Sequence, residues 1–195
     1  QRTLPWRISK NSKNKQYYRL LSEFMLQQTQ VKTVIPYFNN FVKKIPNLKA
    51  LSKAKEKKVL KLWEGLGFYR RAKNLHRTSK ILIKKYNGKI PGSFIKLKEL
   101  PGIGDYTANV LLALLYNHPR IGIDGNVKRV LFRFFNVNEW DVVNLFKTKR
   151  NADLAEAIME FGALICKPKD PKCSECKINK MCSYYKSESK FKFKK

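Results

Sequence analysis

The run Pro101-Gly102-Ile103-Gly104 does most to limit what this chain can become. It separates the segment Phe94 to Leu100 from an apolar segment that starts at Asp105 and carries Leu111, Leu112, Leu114 and Leu115. Helical periodicity on both sides of a two-glycine turn predicts a helix, a tight hairpin and a second helix. Glycine lets the backbone pass close to a ligand, and the N–H groups that open the second helix point outward as anion donors. Such a helix–hairpin–helix can hold a phosphate without reading a base. Eighteen residues after Tyr106, the tight turn Asp124-Gly125-Asn126 offers a lone carboxylate.

The rest of the chain is read as helices around this stretch. From Tyr17, Leu20, Leu21, Phe24 and Met25 recur at helical spacing, with Glu23 as a polar residue among them. On pattern alone Glu23 is a solvated glutamate on the outer face. Gln27 to Gln30 is a polar break before a helix from about Val31 to Lys44, which contains Pro36 and which Pro46 ends. Leu48, Leu51, Val59, Leu60, Leu62 and Trp63 predict two short helices broken at Ser52. Gly65 to Arg71 is a glycine-flanked turn with two aromatics and two arginines, the ingredients of a base-stacking, phosphate-gripping surface. Core packing of Phe68 and Tyr69 is the plainer alternative. A helix then runs through Lys85 to Asn87-Gly88, and Ser93 is placed to cap Phe94 to Leu100. Val127 to Phe135 and Ala152 to Ile165 are further amphipathic segments, and Ile8 to Gln16 is a loop. With no βαβ alternation and no internal repeat, the fold class is all-α.

Lys and Arg number 42 against 14 Asp and Glu, a formal charge of +28. Such an excess points to a polyanionic partner, nucleic acid first. A basic membrane-surface protein is the other class, but no apolar run is long enough to span a bilayer. Lysine-rich composition also accompanies AT-rich coding, so the charge supports the nucleic-acid reading without carrying it.

All four cysteines fall in the spacing Cys166-x6-Cys173-x2-Cys176-x5-Cys182. Two disulfides in so short a stretch would hold little else together, so metal ligation is the better reading. Four close thiolates can bind a tetrahedral zinc or a [4Fe–4S] cube. Zinc sites usually pair two tight Cys knuckles across a longer gap, and only one pair here is tight, which favours the cube and leaves zinc open. The loop Lys167 to Lys172, basic and stiffened by two prolines, could present lysines to phosphates.

Taken together, the Gly-x-Gly hairpin, Asp124 and the cysteine spacing resemble the endonuclease III superfamily of DNA glycosylases. Within it, Leu4-Pro5-Trp6-Arg7, Ser22 to Val31, Trp63 to Tyr69 and Asp124 to Arg129 look like adenine DNA glycosylases of the MutY type, and Met25 to Gln30 is the most specific run. The resemblance implies a six-helix barrel subdomain over residues 18–119 with its hairpin at 93–116, and an iron–sulfur subdomain from 1–17 plus 120–195. It implies removal of adenine mispaired with 8-oxoguanine or guanine in double-stranded DNA, by a monomer at the nucleoid of a bacterial cytoplasm.

By the same resemblance Glu23 is the general acid, Asp124 stabilises the oxocarbenium ion, and Tyr106 and Asn126 assist. Adenine leaves deoxyribose poorly unless N7 is protonated, and a carboxylate beneath the cationic sugar lowers the barrier. A raised pKa would suit the acid, and its neighbours Phe24, Met25 and Leu26 are apolar. Bifunctional relatives carry a lysine where Tyr106 stands, so no Schiff base can form and an abasic site is the product. Gln28 and Phe68 match wedge positions that enter the duplex, although the family usually has tyrosine at the latter. Trp6, Arg7, Leu26, Thr29, Leu66 and Glu156 match the adenine pocket. Tyr69, Gly102, Gly104, Lys128 and Arg129 match DNA-contacting positions, and Cys166, Cys173, Cys176 and Cys182 the ligands of a [4Fe–4S] cluster.

Two departures bear on these expectations. The loop between Trp6 and Glu23 is longer than the family norm. MutY proteins also continue past the position of Lys195 into a Nudix-like domain that recognises 8-oxoguanine. The resemblance therefore fits either a catalytic core fragment or a short mismatch glycosylase. Thymine glycosylases acting on G·T pairs share the scaffold but normally lack the Gln27 to Gln30 run, and a non-catalytic DNA-binding module is the alternative from another class.

Overall fold

The computed structural model describes residues 2–7, 12–136 and 148–192, which form helices and connecting turns with no strand among them. The all-α expectation holds. Two compact units divide the chain, residues 2–111 and residues 112–195, with the boundary inside one helix.

In the first unit, α1 (Lys15–Leu26) begins slightly before the predicted start. The expected loop Ile8 to Gln16 lies partly outside the described residues. α1 buries Leu20, Leu21, Phe24 and Met25 and stops at Gln27. α2 (Val31–Lys44) accommodates Pro36 near its start and ends on Lys43 and Lys44, cations that complement the negative end of the helix dipole. α3 (Leu48–Lys53) is capped by Asn47, whose Oδ1 accepts from the Ala50 amide at 2.8 Å.

The break before α4 (Glu56–Trp63) falls at Ala54-Lys55 and not at Ser52 as the pattern predicted. Ser52 turns its hydroxyl back onto the Lys49 carbonyl at 2.9 Å and stays helical, while Ala54 and Lys55 are extended. α5 (Arg70–Tyr86) ends at Asn87 in the left-handed conformation that suits a helix C-terminus. It packs against α1, α3 and α4. The core between these helices holds Phe38, Phe41, Trp63, Leu75 and Leu82, with Phe41 and Trp63 meeting edge to face at 6.2 Å.

α6 (Phe94–Lys98) is shorter than predicted, and Ser93 precedes it without a side-chain cap. The hairpin and α7 (Asp105–Tyr116) follow. The second unit contains α8 (Gly125–Phe135), α9 (Asn151–Leu164), a 3-10 turn (Asn179–Met181) and α10 (Ser183–Lys192). Ile121, Val127 and Leu131 form its core against Ile123, Leu154, Ile158 and Met159. The start of α9 is fixed by Asn117, whose Oδ1 accepts from the Ala152 amide at 3.0 Å and whose carbonyl accepts from Asn151 Nδ2 at 2.8 Å. Among the described residues no helix is long and apolar enough to cross a membrane.

Candidate active site

The hairpin is built as the glycines predicted. Gly102 sits at φ +81, and a Cβ there would come within 2.7 Å of Phe24 and 2.9 Å of Asn74. Glycine is thus required both by the turn and by the close approach of α1 and α5. Thr78 on α5 donates its hydroxyl to the Pro101 carbonyl at 2.9 Å, and Gln27 Nε2 donates to the Gly102 carbonyl at 3.1 Å. The Gly104 carbonyl accepts from the Ala108 amide at 2.9 Å and so opens α7, while Lys98 pairs with Asp105 across the turn. Both Gly102 and Gly104 are exposed, and Tyr106 is half-buried on the first turn of α7.

Glu23 is only 8% exposed, so it is not the solvated glutamate that periodicity suggested. It stands on α1 among Leu20, Phe24 and Met25, all fully buried. Leu66 is buried, and Leu26 and Thr29 are half-buried. Trp6 is buried against Phe38, ring to ring at 5.3 Å, and Arg7 donates from Nη1 to the Arg2 carbonyl at 3.2 Å.

Gln28 and Phe68, far apart in sequence, share an unusual geometry. Both are exposed, and both adopt left-handed backbone, at φ 56 and φ 48. That conformation costs a residue with a Cβ roughly 1–2 kcal/mol. Phe68 is 58% and Tyr69 43% exposed, which sets aside their packing in the core.

Arg71 is the residue that sequence reasoning misplaced. The sequence pattern puts it on a phosphate-gripping surface, but it points inward and is 7% exposed. Its Nη1 donates to the carbonyls of Phe24 at 3.3 Å and Met25 at 2.8 Å, to the carbonyl of Gln27, and to Thr29 Oγ1 at 3.1 Å. Its Nη2 donates to the carbonyls of Leu66 and Gly67, each at 3.1 Å. The guanidinium also lies over the rings of Trp63 at 5.6 Å and Phe68 at 5.3 Å. Part of this network satisfies the orphan carbonyls at the C-terminus of α1. Burial holds the guanidinium below its ordinary pKa, though an arginine stays charged at any physiological pH.

In the second unit Asp124 is the N-cap of α8. Its Oδ1 accepts from the Val127 amide at 2.7 Å, and its Oδ2 accepts from Asn126 Nδ2 at 3.1 Å. The carboxylate is thus fixed in direction at the positive end of a helix. Asn126 is held in turn by Arg129, whose Nη2 donates to Asn126 Oδ1 at 2.9 Å and to the Gly162 carbonyl at 2.8 Å. Arg129 Nε donates to the Cys166 carbonyl at 2.9 Å. One arginine therefore joins the Asp124 turn, α9 and the first cysteine. It was expected at a DNA-contacting position, and the half-buried side chain is occupied within its own unit, whereas Lys128 beside it is exposed. Glu156 is half-buried on α9.

Gly162 carries no local signal of its importance. A Cβ on it would meet Asn126 Cβ at 2.9 Å and the Asn126 carbonyl oxygen at 3.1 Å. Because part of that clash is with backbone, Gly162→Ala is expected to push the Asp124 turn off α9. Overpacking of this kind costs about 1–3 kcal/mol, visible as a lowered melting temperature.

Cys166, Cys173, Cys176 and Cys182 are free thiols, all half-buried. They line one cavity together with Val130, Phe161 and Ile165 and with the polar residues Arg133, Lys172 and Asn179. Arg133 Nη1 reaches Cys166 Sγ at 3.6 Å, and Cys182 Sγ lies 3.3 Å from the Arg133 carbonyl. The four cysteines thus line the same space, a donor set whose chemistry fits a thiolate-bound cluster. Among the described residues no group of three His, Cys, Asp or Glu is arranged to hold a single metal ion. In the loop between Cys166 and Cys173, Lys169 is exposed, but Lys172 is taken by Glu175 at 2.9 Å.

Comparison with known proteins gives this geometry its relatives. The chain is 40% identical over 97% of its length to an adenine DNA glycosylase of Buchnera aphidicola subsp. Baizongia pistaciae, covering 56% of that protein. It is 36% identical over 89% of its length to the adenine DNA glycosylase of Schizosaccharomyces pombe, covering 41% of that protein. The chain therefore spans about half the length of the curated relatives it matches. Among solved structures it is similar to a thermostable thymine-DNA glycosylase, with a TM-score of 0.83 and 26% identity over 95% of this chain and 89% of that one. Endonuclease III in a non-covalent DNA complex shares the fold, with a TM-score of 0.75 and 23% identity over 94% and 90% of the two chains. Residues 21–156, which hold the hairpin and both candidate acids, match the family described as HhH-GPD superfamily base excision DNA repair protein, and the chain belongs to that superfamily.

Proposed function

We propose that the chain carries a monofunctional DNA glycosylase that hydrolyses the N-glycosidic bond of adenine mispaired with 8-oxoguanine or guanine in duplex DNA. The observation that carries this reading is the match, over 89–97% of the chain, to relatives named adenine DNA glycosylase. Glu23 donates a proton to adenine N7, so that the C1′–N9 electron pair can leave with a neutral base. Asp124, already aimed by its cap bonds, stabilises the cationic sugar until water adds at C1′. Asn126 holds the second Asp124 oxygen, and Tyr106 stands where a Schiff-base lysine would make the enzyme a lyase. Gln28 and Phe68, exposed at the tips of two turns, suit insertion into the gap left by the flipped base, and Gly102 and Gly104 suit contact with the neighbouring phosphates. Trp6, Arg7, Leu26, Thr29, Leu66 and Glu156 are proposed to line the pocket. Tyr69 and Lys128 are exposed and are proposed to contact the DNA, while Arg129 acts mainly by holding Asn126.

The test is a duplex labelled on the adenine strand opposite 8-oxoguanine. Strand breakage is expected only after alkali, and borohydride should trap no covalent complex. A nick without alkali, or efficient trapping, would overturn the monofunctional reading. A second reading, excision of thymine from G·T pairs, is favoured by the similarity to the thymine-DNA glycosylase structure, and it stands behind the first because that identity is lower.

The four cysteines are proposed to hold a [4Fe–4S] cluster, each thiolate binding one iron. When bound, such a cluster fastens the loop from Cys166 to Cys182, and through the Arg129 bond to the Cys166 carbonyl it steadies the Asp124 turn. Purified protein is expected to be brown and to contain about four irons and four acid-labile sulfides per chain. One zinc per chain in a colourless protein would reject the cube.

A further inference from the structure

We infer that Arg71 is a positioning residue that sets Gln28 and Phe68 as a single wedge, so that the two tips enter a duplex together. The inference rests on the wedge role proposed above for those residues. Nη1 of Arg71 takes the Gln27 carbonyl and the Thr29 hydroxyl, the groups on either side of Gln28. Nη2 takes the carbonyls of Leu66 and Gly67, which lead directly into Phe68, and the guanidinium lies 5.3 Å from the Phe68 ring. One rigid fork therefore binds both turns. Each tip holds a left-handed backbone that a residue with a Cβ rarely adopts, and such conformations persist only when the surroundings over-determine them.

A buried arginine could serve stability alone, since it also takes the Phe24 and Met25 carbonyls at the end of α1. The two roles separate on chemistry. Lysine at this position would keep the charge, but a single ammonium cannot reproduce the planar fork that reaches both turns. A structural defect would slow excision from every substrate. A wedge defect matters where adenine must be separated from a partner base, and matters little where that partner is missing.

The experiment measures single-turnover excision by Arg71→Lys and Arg71→Met, beside Gln28→Ala, Phe68→Ala and the double variant Arg71→Lys/Phe68→Ala. Each is assayed on two duplexes, with adenine opposite 8-oxoguanine and with adenine opposite an abasic site, and circular dichroism melting is followed in parallel. Arg71→Lys is expected to stay folded and to lose about 10–100-fold on the paired duplex but less than about 3-fold on the abasic one. Adding Phe68→Ala should then cost little more, because the two changes remove one device. Equal losses on both duplexes, or losses that multiply in the double variant, would overturn the inference. So would wild-type rates for Arg71→Lys on the paired duplex while Gln28→Ala and Phe68→Ala are impaired. If those two alanine variants match wild type, the wedge reading itself fails, and the inference falls with it. Arg71→Lys carries the test if Arg71→Met does not fold.

Discussion

Glu23→Gln is expected to lower adenine excision by about 10²–10⁴-fold, the range for removing a general acid. Duplex affinity and melting temperature should stay near wild type. Glutamine matches glutamate in size, so the buried position keeps its packing among Leu20, Phe24 and Met25, all fully buried. What is lost is the acidic proton, and without it adenine must leave as an anion. Single-turnover rates measure the loss, and fluorescence anisotropy on the same duplex measures retained binding. Persistent excision by Glu23→Gln would show that the acid lies elsewhere.

Asp124→Asn is the second large effect, and it separates two roles that one side chain combines. Asp124 caps α8 through the Val127 amide at 2.7 Å, so a loss of function after truncation could reflect a frayed helix. Asparagine cannot accept from Asn126 Nδ2 as Asp124 Oδ2 does, but it is as good an N-cap as aspartate, and its Oδ1 can accept the Val127 bond. The variant should therefore fold with little change in melting temperature. It cannot place a negative charge beneath a cationic sugar, and removing such electrostatic stabilisation costs about 10²–10³-fold in rate. Asp124→Ala should lose both rate and about 1 kcal/mol of stability. If Asp124→Asn excises adenine as fast as wild type, the carboxylate is a helix cap and nothing more.

The sequence revealed most where short-range chemistry decides the outcome. The hairpin could be read from Pro101 to Gly104 because glycine spacing and flanking periodicity are local signals. The cysteine spacing is local in the same way, and all four cysteines line one cavity. The positions of most helix ends also emerged, since Asn87, Pro46 and the Gln27 to Gln30 break act on their nearest neighbours. Ser52 is an ambiguous signal because its hydroxyl can bond inside a helix as well as break one, and only the backbone of Ala54 and Lys55 decides.

Burial was not local and so was not legible. Periodicity put Glu23 on an outer face, and only the family resemblance moved it inside, where the structure has it. Arg71 looked like a surface cation because its partners are carbonyls, which every residue carries and no sequence pattern marks. Gly162 was silent for a related reason: its necessity comes from the Asn126 backbone packed against it, a tertiary fact with no trace in neighbouring residues. The roles of Gln28 and Phe68 came from resemblance. Their shared left-handed geometry, and the single arginine that binds both turns, came from the structure.

The most direct measurement offers the protein three labelled duplexes under the same single-turnover conditions: adenine opposite 8-oxoguanine, adenine opposite guanine, and thymine opposite guanine. Released bases are identified by chromatography. Adenine excision should give free adenine from the first two duplexes and intact thymine in the third. Release of thymine from the third duplex, with adenine left in place in the other two, would contradict it.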